Sequence, residues 1–466
     1  MFDPTVFAAR RSSLTDALDG GLVVLLGNGP SPMNYAANLY PFRQDGSFRY
    51  YTGLDEPELA LTIDLDSGES TLYGREATME DRVWDGERPS MGQRADAAGI
   101  PTVAPPAALA ETIAAARSTG RTVHTLPAYR AEHRLWLAGL LGVAPSEVEA
   151  SPSLVDAVIA QRLVKTDAEV AEIEVALDIL SEMHLAAMFM AQPGRSEHEV
   201  AAAITGVAHS YGSHLSFPAI VTTRGEVPHH HASGHVLAPG DLLLHDAGCV
   251  APDSGYAADV TRCSPVGGTF TGRQRDIYSL VLKAQTACIE ACAPGVRFRE
   301  VHDLASRTLA AGLVDLGLLK GDVGEIVEAG AHGLFFHHGL GHAMGLDVHD
   351  LEGLGEDRVG YGDEATRSTQ FGTKYLRFAR ALAPGHVMTV EPGLYFNAAL
   401  IGLWKSENRH ADLIDYAEAE RWVGFGGVRI EDDIVITDDG YRVLGPGIPK
   451  EIADVEEIVQ AGMDEE

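Results

Sequence analysis

The sequence predicts an α+β protein in which a larger C-terminal domain follows an α/β N-terminal domain. Its 466 residues are enough for two or three domains of ordinary size. Residues 1–160 alternate strand-like and helical segments, which is typical of a self-contained α/β domain. Residues 161–466 group strands and helices in separate blocks, and that grouping favours an α+β domain over a doubly wound sheet.

The N-terminal domain shows short apolar runs bounded by glycine and proline. Such runs predict strands, and they fall at residues 22–26, 60–63 and 70–73. Alanine- and leucine-rich stretches of helical periodicity predict helices at residues 107–116 and 131–141.

The C-terminal domain opens with a long predicted helix. Thr166 or Asp167 can cap it, and apolar residues at helical spacing continue to about residue 191. The pattern then predicts helices at 196–211, 273–292 and 300–316, and strands at 241–246, 258–261, 387–391 and 428–437. Residues 350–380 are polar and glycine-rich, so we expect a loop there.

Composition excludes several classes of partner. The chain carries 35 basic and 67 acidic residues, a formal charge of −32, whereas nucleic acid and anionic lipid both require a basic surface. No apolar run approaches the roughly 18 residues that a membrane span needs, and the first residues do not resemble a signal peptide. Four cysteines predict core thiols rather than a disulfide framework. We therefore expect a cytoplasmic protein that binds neither membrane nor nucleic acid.

Two aspartates are associated with apolar strands. On strand 241–246, Leu242, Leu244 and Asp246 share one face, so the carboxylate closes an apolar surface and needs a partner. Asp259 follows 13 residues later, beside the next predicted strand. A hairpin between the two strands would bring the two acids together.

A histidine and two glutamates also lie in a tight loop or on predicted strands. His342 lies in a glycine-rich loop, where the backbone can approach a site closely, and Glu391 closes strand 387–391. Strand 428–437 alternates, so Arg429 and Glu431 share one face. Each acid alone is typical of a turn or a solvated face, and a lone histidine of the surface or core.

Taken as a set, these residues predict a metal site. Four carboxylates would carry four negative charges, which two divalent cations would cancel; without cations, repulsion would force protonation. Oxygen-rich ligation with one imidazole suits Mn²⁺, Co²⁺ or Fe²⁺ better than a thiolate-type zinc site. The sequence has no phosphate-binding GxxxxGK[ST] loop, no HExxH and no GxSxG. The residues alone do not establish that the five converge.

Five ordered motifs between residues 165 and 450 carry a resemblance: HDAG, ADVTR, HHGLGHAMGLDVHD, TVEPGLYF and GVRIEDDIVIT. They resemble the pita-bread metallopeptidases, which include methionine aminopeptidase, aminopeptidase P and prolidase. Residues 41–57 and 80–86 look like the non-catalytic domain of Xaa-Pro aminopeptidases. The resemblance thus covers nearly the whole chain and implies a pita-bread catalytic domain at 161–466, after a non-catalytic domain at 1–160.

The resemblance implies a role for each matched residue. The metal ligands would be Asp246, Asp259, His342, Glu391 and Glu431, with Asp259 and Glu431 bridging two divalent ions, manganese first and cobalt, zinc or iron as alternatives. Glu391 would also be the general base for the attacking water. The other catalytic residues would be His338, His349, Arg429 and His229, although His230 and His231 compete with His229 for its position.

The implied activity is release of the N-terminal residue from Xaa-Pro-Yaa peptides. The alternative is an Xaa-Pro dipeptidase (prolidase), because residues 351–386 and 396–427 are longer than in compact aminopeptidase P; a non-catalytic pita-bread binding module is more remote. Two further departures are the Asp246–Asp259 spacing, two residues longer than usual, and His245 in place of an apolar residue. The resemblance also implies a homodimer or tetramer assembled through the N-terminal domain.

Overall fold

The computed structural model describes residues 2–464 and divides the chain into two compact units, Met1–Arg162 and Leu163–Glu466. Helices and strands occur in both units, so the predicted α+β class is confirmed. No helix within residues 2–464 combines the length and apolar character that crossing a bilayer requires.

The N-terminal unit is built on one five-stranded sheet. Its strands are β1 (Leu22–Leu26), β2 (Ala60–Asp64), β3 (Ser70–Tyr73), β4 (Thr102–Ala104) and β5 (Val123–Thr125), in the order β4-β3-β2-β1-β5. The pairs β1–β2 and β2–β3 are antiparallel, and the two outer pairs are parallel. Its helices are α1 (Pro4–Asp16), α2 (Gly46–Thr52), α3 (Met79–Asp85), α4 (Met91–Ala97), α5 (Pro106–Ser118), α6 (Ala131–Leu141) and α7 (Pro152–Leu163).

Helices α5 and α6 cover part of that sheet with apolar side chains. Leu109 and Ile113 of α5 and Leu137 of α6 join Leu22 and Val24 of β1 in one buried cluster. Burial of such side chains contributes about 1.5–3 kcal/mol each, which explains why the alternating pattern folds as a unit.

The C-terminal unit holds its strands in three small sheets. Strands β6 (Ile220–Thr222), β7 (Leu242–Ala247) and β8 (Val260–Pro265) form one, and β9 (Val387–Val390), β12 (Asp432–Ile436) and β13 (Tyr441–Val443) form another in the order β13-β12-β9. Strands β10 (Gly393–Tyr395) and β11 (Gly427–Arg429) pair by themselves. The helices are α8 (Asp167–Phe189), α9 (Glu197–Ser210), α10 (Gly272–Ala291), α11 (Phe298–Asp315), α12 (Val323–Ala329), α13 (Glu356–Gly360), α14 (Ala398–Ser406), α15 (Tyr416–Arg421) and α16 (Ile452–Asp464).

Two expectations need revision. Thr166 caps α8 with a capping box as its side chain predicts, but the predicted strand 428–437 is interrupted at Ile430 and Glu431, where the chain passes from β11 to β12 in a different sheet. The expected loop at 350–380 contains α13 and two 3₁₀ turns, Glu352–Leu354 and Thr373–Tyr375. Salt bridges between charged residues of this segment stabilise these short turns, a long-range effect that local composition does not reveal.

Candidate metal centre

The first carboxylate pair comes from the β7–β8 hairpin. Antiparallel register places Asp246 opposite Thr261 and Ala247 opposite Val260, which leaves Asp259 just before β8 on the same end of the sheet. Asp246 is 8% exposed and Asp259 6%, so both carboxylates are largely removed from water. The lengthened connection forms a further bridge between Val250 and Ala257 beyond the acids.

The second pair comes from the β9–β12 ladder. Val390 pairs with Asp432, so Glu391 directly after β9 and Glu431 directly before β12 emerge at one end of the two strands. The Thr261 hydroxyl donates to Glu431 Oε2 at 2.6 Å, and the Glu431 N–H donates to the Thr261 carbonyl at 3.1 Å. These two bonds connect the β9–β12 ladder to the β7–β8 hairpin and bring the acidic residues of both together.

His342 reaches the same place from a glycine-rich loop. Its Nδ1 lies 3.1 Å from the Ala343 carbonyl oxygen, and its Nε2 lies 3.6 Å from Asp259 Oδ2. The loop packs closely on β9, because a Cβ on Gly341 would lie 2.0 Å from the Thr389 carbonyl oxygen. Burial, followed by the charge of His349, lowers the pKa of His342 well below its usual value, so the ring is neutral and able to ligate.

The donor set fits a divalent-cation site. Within residues 2–464, Asp259, His342 and Glu431 offer ligand atoms that all lie within 4.8 Å of one another. The buried atoms Asp246 Oδ1 and Asp259 Oδ1 have no hydrogen-bond partner in the described part of the chain. Buried carboxylate oxygens without a hydrogen-bond partner are stable only with a cation or a proton bound to them.

Electrostatics lead to the same conclusion. Burial and then Glu431 raise the pKa of Asp259 well above its usual range, and burial and then Glu391 do the same for Glu431. Burial, opposed by Arg429 and reinforced by Asp246, raises the pKa of Glu391 to about 7. The four carboxylates therefore act on one another across the site, and bound cations would remove the penalty for ionising them.

Arg429 is the buried cation of the site. Its Nη2 donates to Asp246 Oδ2, its Nε to Thr261 Oγ1 at 2.9 Å and its Nη1 to the Tyr395 hydroxyl at 2.9 Å. Arg429, at the end of β11, and Glu431, directly before β12, thus contact the same threonine, although the continuous strand that alternation predicts is broken between them. One guanidinium cannot balance four carboxylates, which leaves charge for metal ions to neutralise.

Two further histidines of the HHGLGHAMGLDVHD motif, besides His342, lie close to predicted ligands. His338 Nδ1 lies 3.9 Å from Glu391 Oε2, and its Nε2 lies 2.8 Å from the Tyr395 hydroxyl. The rings of His349 and His342 are 4.1 Å apart between centroids. Both histidines therefore stand beside predicted ligands, one on each side.

The three consecutive histidines at 229–231 have different surroundings. Burial, then the charge of Arg429, lowers the pKa of His229, and Asp246 opposes that shift. His230 Nδ1 instead lies 3.1 Å from Thr222 Oγ1, and His231 Nδ1 lies 3.3 Å from the Ala219 carbonyl oxygen. The charges of Arg429 and Asp246 thus act on His229.

Sequence reasoning missed some contributors. Tyr395 links His338 to Arg429, and Thr261 links Arg429 to Glu431; both stand inside motifs that were recognised only for their ionisable residues. Asp433 accepts the Asp259 N–H at 3.2 Å.

A run such as Glu431-Asp432-Asp433 is usually solvated, but all three side chains are buried here. His245, which replaces an apolar residue, is fully buried away from the carboxylates. Its Nδ1 lies 2.8 Å from His184 Nδ1, and its Nε2 lies 2.9 Å from Ser264 Oγ. It packs on the face of β7 opposite to Asp246.

Comparison with known proteins places this geometry in a family. The model of metallopeptidase family M24 matches residues 171–438, which is more than half of the chain. The chain belongs to metallopeptidase family M24. Its N-terminal unit matches the aminopeptidase P N-terminal domain over residues 7–124. The family resemblance and the pita-bread catalytic domain are therefore confirmed, as is the α/β domain before it.

Named relatives of this M24 chain include both activities considered above. It is 31% identical to Xaa-Pro aminopeptidase of Escherichia coli strain K12, across 98% of this chain and 97% of that protein. It is 30% identical to Xaa-Pro dipeptidase of Homo sapiens, across 97% and 92%. The structure of aminopeptidase PepP of Pseudomonas aeruginosa superposes with a TM-score of 0.83 at 30% identity, covering 99% of each chain.

Proposed function

We propose that this M24 metallopeptidase is an Xaa-Pro aminopeptidase that releases the N-terminal residue from Xaa-Pro-Yaa peptides. The observation that supports the proposal is the buried group Asp259, His342 and Glu431, on which the charges of Asp246 and Glu391 act, in a chain of which 98% aligns with an Xaa-Pro aminopeptidase. Residues 161–466 would hold the whole catalytic machinery, and residues 1–160 would not contribute to the chemistry. The five residues would hold two divalent ions, manganese first, with cobalt, zinc or iron as alternatives.

A prolyl bond presents a particular difficulty. Its nitrogen carries no hydrogen that an enzyme can bind, and the ring fixes the backbone of the residue that follows the scissile bond. Two bound cations would supply Lewis acidity toward the carbonyl and a water of lowered pKa. The residues of the chain then have to orient the peptide and move protons.

Glu391 is the general base in this proposal. A general base must lie within reach of the proton that it takes, and Glu391 lies directly after β9 among the predicted ligands that would hold the water. It would take the proton of the attacking water and carry it toward the leaving proline nitrogen. His338, 3.9 Å from the same carboxylate, would hold the proline side of the substrate.

The remaining side chains stabilise developing charge. His349 would donate a hydrogen bond to the carbonyl oxygen as it becomes an oxyanion, an interaction worth about 10²–10³ in turnover at comparable sites. Arg429 would hold Asp246 in its orientation through the bond from Nη2, and His229 would contact the peptide.

The decisive test is the variant Glu391→Gln, which keeps the shape of the side chain but not the base. We expect turnover of Xaa-Pro-Yaa with added Mn²⁺ to fall at least about 100-fold, while Glu420→Gln, an exposed glutamate paired with Lys405, behaves as wild type. Glu391→Ala should lose as much. Metal content measured in parallel separates a lost base from a lost ligand. Wild-type turnover in a metal-loaded Glu391 variant would refute the assignment.

The second candidate is an Xaa-Pro dipeptidase. The relative of that name in Homo sapiens aligns with 97% of this chain, and residues 396–427, which the resemblance marks as longer than in compact aminopeptidase P, contain α14 and α15. Substrate length distinguishes the two: an aminopeptidase cleaves Xaa-Pro-Yaa and Xaa-Pro-Pro-Yaa, whereas a dipeptidase cleaves only Xaa-Pro. A non-catalytic binding module would hold less than one metal ion per chain and gain no activity from Mn²⁺.

We also propose a homodimer or tetramer assembled through the N-terminal domain, in the cytoplasm. Helix α3 buries none of its residues and exposes Met79, Val83 and Trp84 by 71%, 70% and 79%. Exposed apolar groups of this kind are typical of subunit contacts. The four cysteines are all free and buried, which suits a reducing compartment. Light scattering of wild type and of Val83→Ser tests the assembly, and a monomeric wild type would refute it.

A further inference from the structure

The turn after His349 has an unusual backbone. Leu351, 2% exposed, adopts φ +67, a conformation that a leucine side chain disfavours. It reverses the chain so that Glu352 points back, and Glu352 Oε2 comes within 3.2 Å of His349 Nδ1. Backbone strain of this kind persists only where surrounding contacts hold it, and it is concentrated at functional sites.

The surrounding contacts hold Glu352 from the other side. Arg377 Nη1 lies 2.7 Å from Glu352 Oε2 and 3.2 Å from Glu356 Oε2. Arg367 in turn pairs with Glu356 and lies 2.7 Å from Asp357 Oδ1. The carboxylate that meets His349 is thus one end of a network of ion pairs, and the network restricts its movement.

The backbone at His349 is fixed independently of Glu352. The next residue, Asp350, forms an ion pair with Lys165 at 2.8 Å, and both side chains are 1% exposed. The His349 side chain, by contrast, is 38% exposed. Its backbone is therefore anchored, while its ring is held by packing on the His342 ring, at 4.1 Å between centroids, and by the polar contact of Nδ1 to Glu352.

We propose that Glu352, held by Arg377, is a positioning residue for His349 that orients the imidazole through Nδ1 and leaves Nε2 for the substrate carbonyl. Orientation of a catalytic histidine by a carboxylate on its other nitrogen is a recurrent physical solution, because the bond fixes both the ring plane and the nitrogen that carries the proton. The proposal rests on the proposed function, in which His349 stabilises the oxyanion. It adds a residue that contacts neither metal nor peptide.

The test compares Glu352→Ala, Glu352→Gln and a matched control, Glu364→Ala, with Xaa-Pro-Yaa and saturating Mn²⁺. Glu364 lies in the same segment and also pairs with an arginine, Arg380 at 2.9 Å, but does not contact His349. We expect Glu352→Ala to lower kcat about 10- to 100-fold with KM and metal content unchanged. Glu352→Gln keeps an acceptor oxygen and should recover most of the loss, and Glu364→Ala should match wild type.

A double variant decides whether the effect acts through the histidine. In the His349→Ala background, Glu352→Ala should cause no further loss, since there is no ring left to orient. Multiplicative losses, or a Glu352→Gln variant as impaired as Glu352→Ala, would overturn the proposal. If His349→Ala itself has wild-type kcat, the role of His349 in the proposed function fails. If His349→Ala is impaired while Glu352→Ala is not, only the positioning role fails.

Discussion

The substitution Thr261→Val tests how the site binds metal without altering a ligand. Thr261 is fully buried; its hydroxyl donates to Glu431 Oε2 at 2.6 Å and accepts from Arg429 Nε at 2.9 Å. Valine has nearly the same shape but no hydroxyl, so both bonds disappear without a cavity. The substitution isolates one hydroxyl that joins a predicted ligand to the cation of the site.

The magnitude follows from the chemistry of the lost bonds. Hydrogen bonds to charged groups contribute about 1.5–3 kcal/mol each. The bond from Thr261 favours the ionised form of Glu431, so its removal raises further a pKa that burial and Glu391 already raise. A divalent ion binds the ionised carboxylate, and we therefore expect metal affinity to fall about 10- to 100-fold. That range corresponds to about 1.4–2.7 kcal/mol and agrees with the loss of one such bond.

The assay is reactivation of chelator-treated protein by Mn²⁺, with calorimetric titration alongside. Thr261→Val should require about 10- to 100-fold more Mn²⁺ for half-maximal activity and reach nearly wild-type turnover at saturation. Thr261→Ser retains the hydroxyl and serves as the control, with affinity close to wild type. Equal half-activation concentrations for valine and wild type, or a serine variant as weak as valine, would refute the reasoning.

Three further predictions concern stability and substrate contact. Burial raises the pKa of Glu391 from 4.5 to about 7, so between these pH values the carboxyl of the metal-free protein is protonated when folded and ionised when unfolded. The melting temperature should therefore fall as the pH rises from about 4.5 to about 7, and Mn²⁺ should reduce this dependence on pH. Arg262→Met removes one of the two cations that pair with the buried Asp432 and leaves Lys450, so the free energy of unfolding should fall by about 1–3 kcal/mol; a melting temperature equal to wild type would contradict it. His229→Ala should lower kcat/KM for Xaa-Pro-Yaa at least about 10-fold, while His231→Ala leaves it unchanged.

Local signals predicted much of the fold. The apolar run 22–26 is β1 with the same bounds, and the capping residue Thr166 starts α8 where its side chain predicts. Both signals depend on residues within a few positions of one another, which is why sequence alone contains them. The break at Ile430 and Glu431 was not predicted, because the residues on its two sides pair with strands of two different sheets. The alternation of apolar and polar residues continues through the break unchanged.

The site was predictable as a set of residues and not as an arrangement. Physical reasoning required four carboxylates to be compensated, but their meeting depends on the Thr261–Glu431 bond, which joins residues 170 positions apart. The contact between Glu352 and His349 depends on a left-handed leucine that no composition rule anticipates. The motif resemblance predicted that the ligands meet. The contacts of Tyr395, Thr261 and Glu352 are apparent only in the folded structure.

The burial of the acidic run explains how the fold concentrates charge where cations bind. Asp432 forms ion pairs with Arg262 at 2.6 Å and with Lys450 at 2.5 Å. Burial raises the pKa of Asp432, but these two cations outweigh that effect and lower it. Arg262 lies 170 positions before Asp432 in the sequence. Local composition therefore indicates a solvated acidic run, although a buried arginine neutralises Asp432. Because Arg262 and Lys450 neutralise Asp432, the negative charge that is left for cations is that of the predicted metal ligands. A site with excess negative charge on one side and a balanced ion pair on the other attracts divalent cations without destabilising the strands that support it.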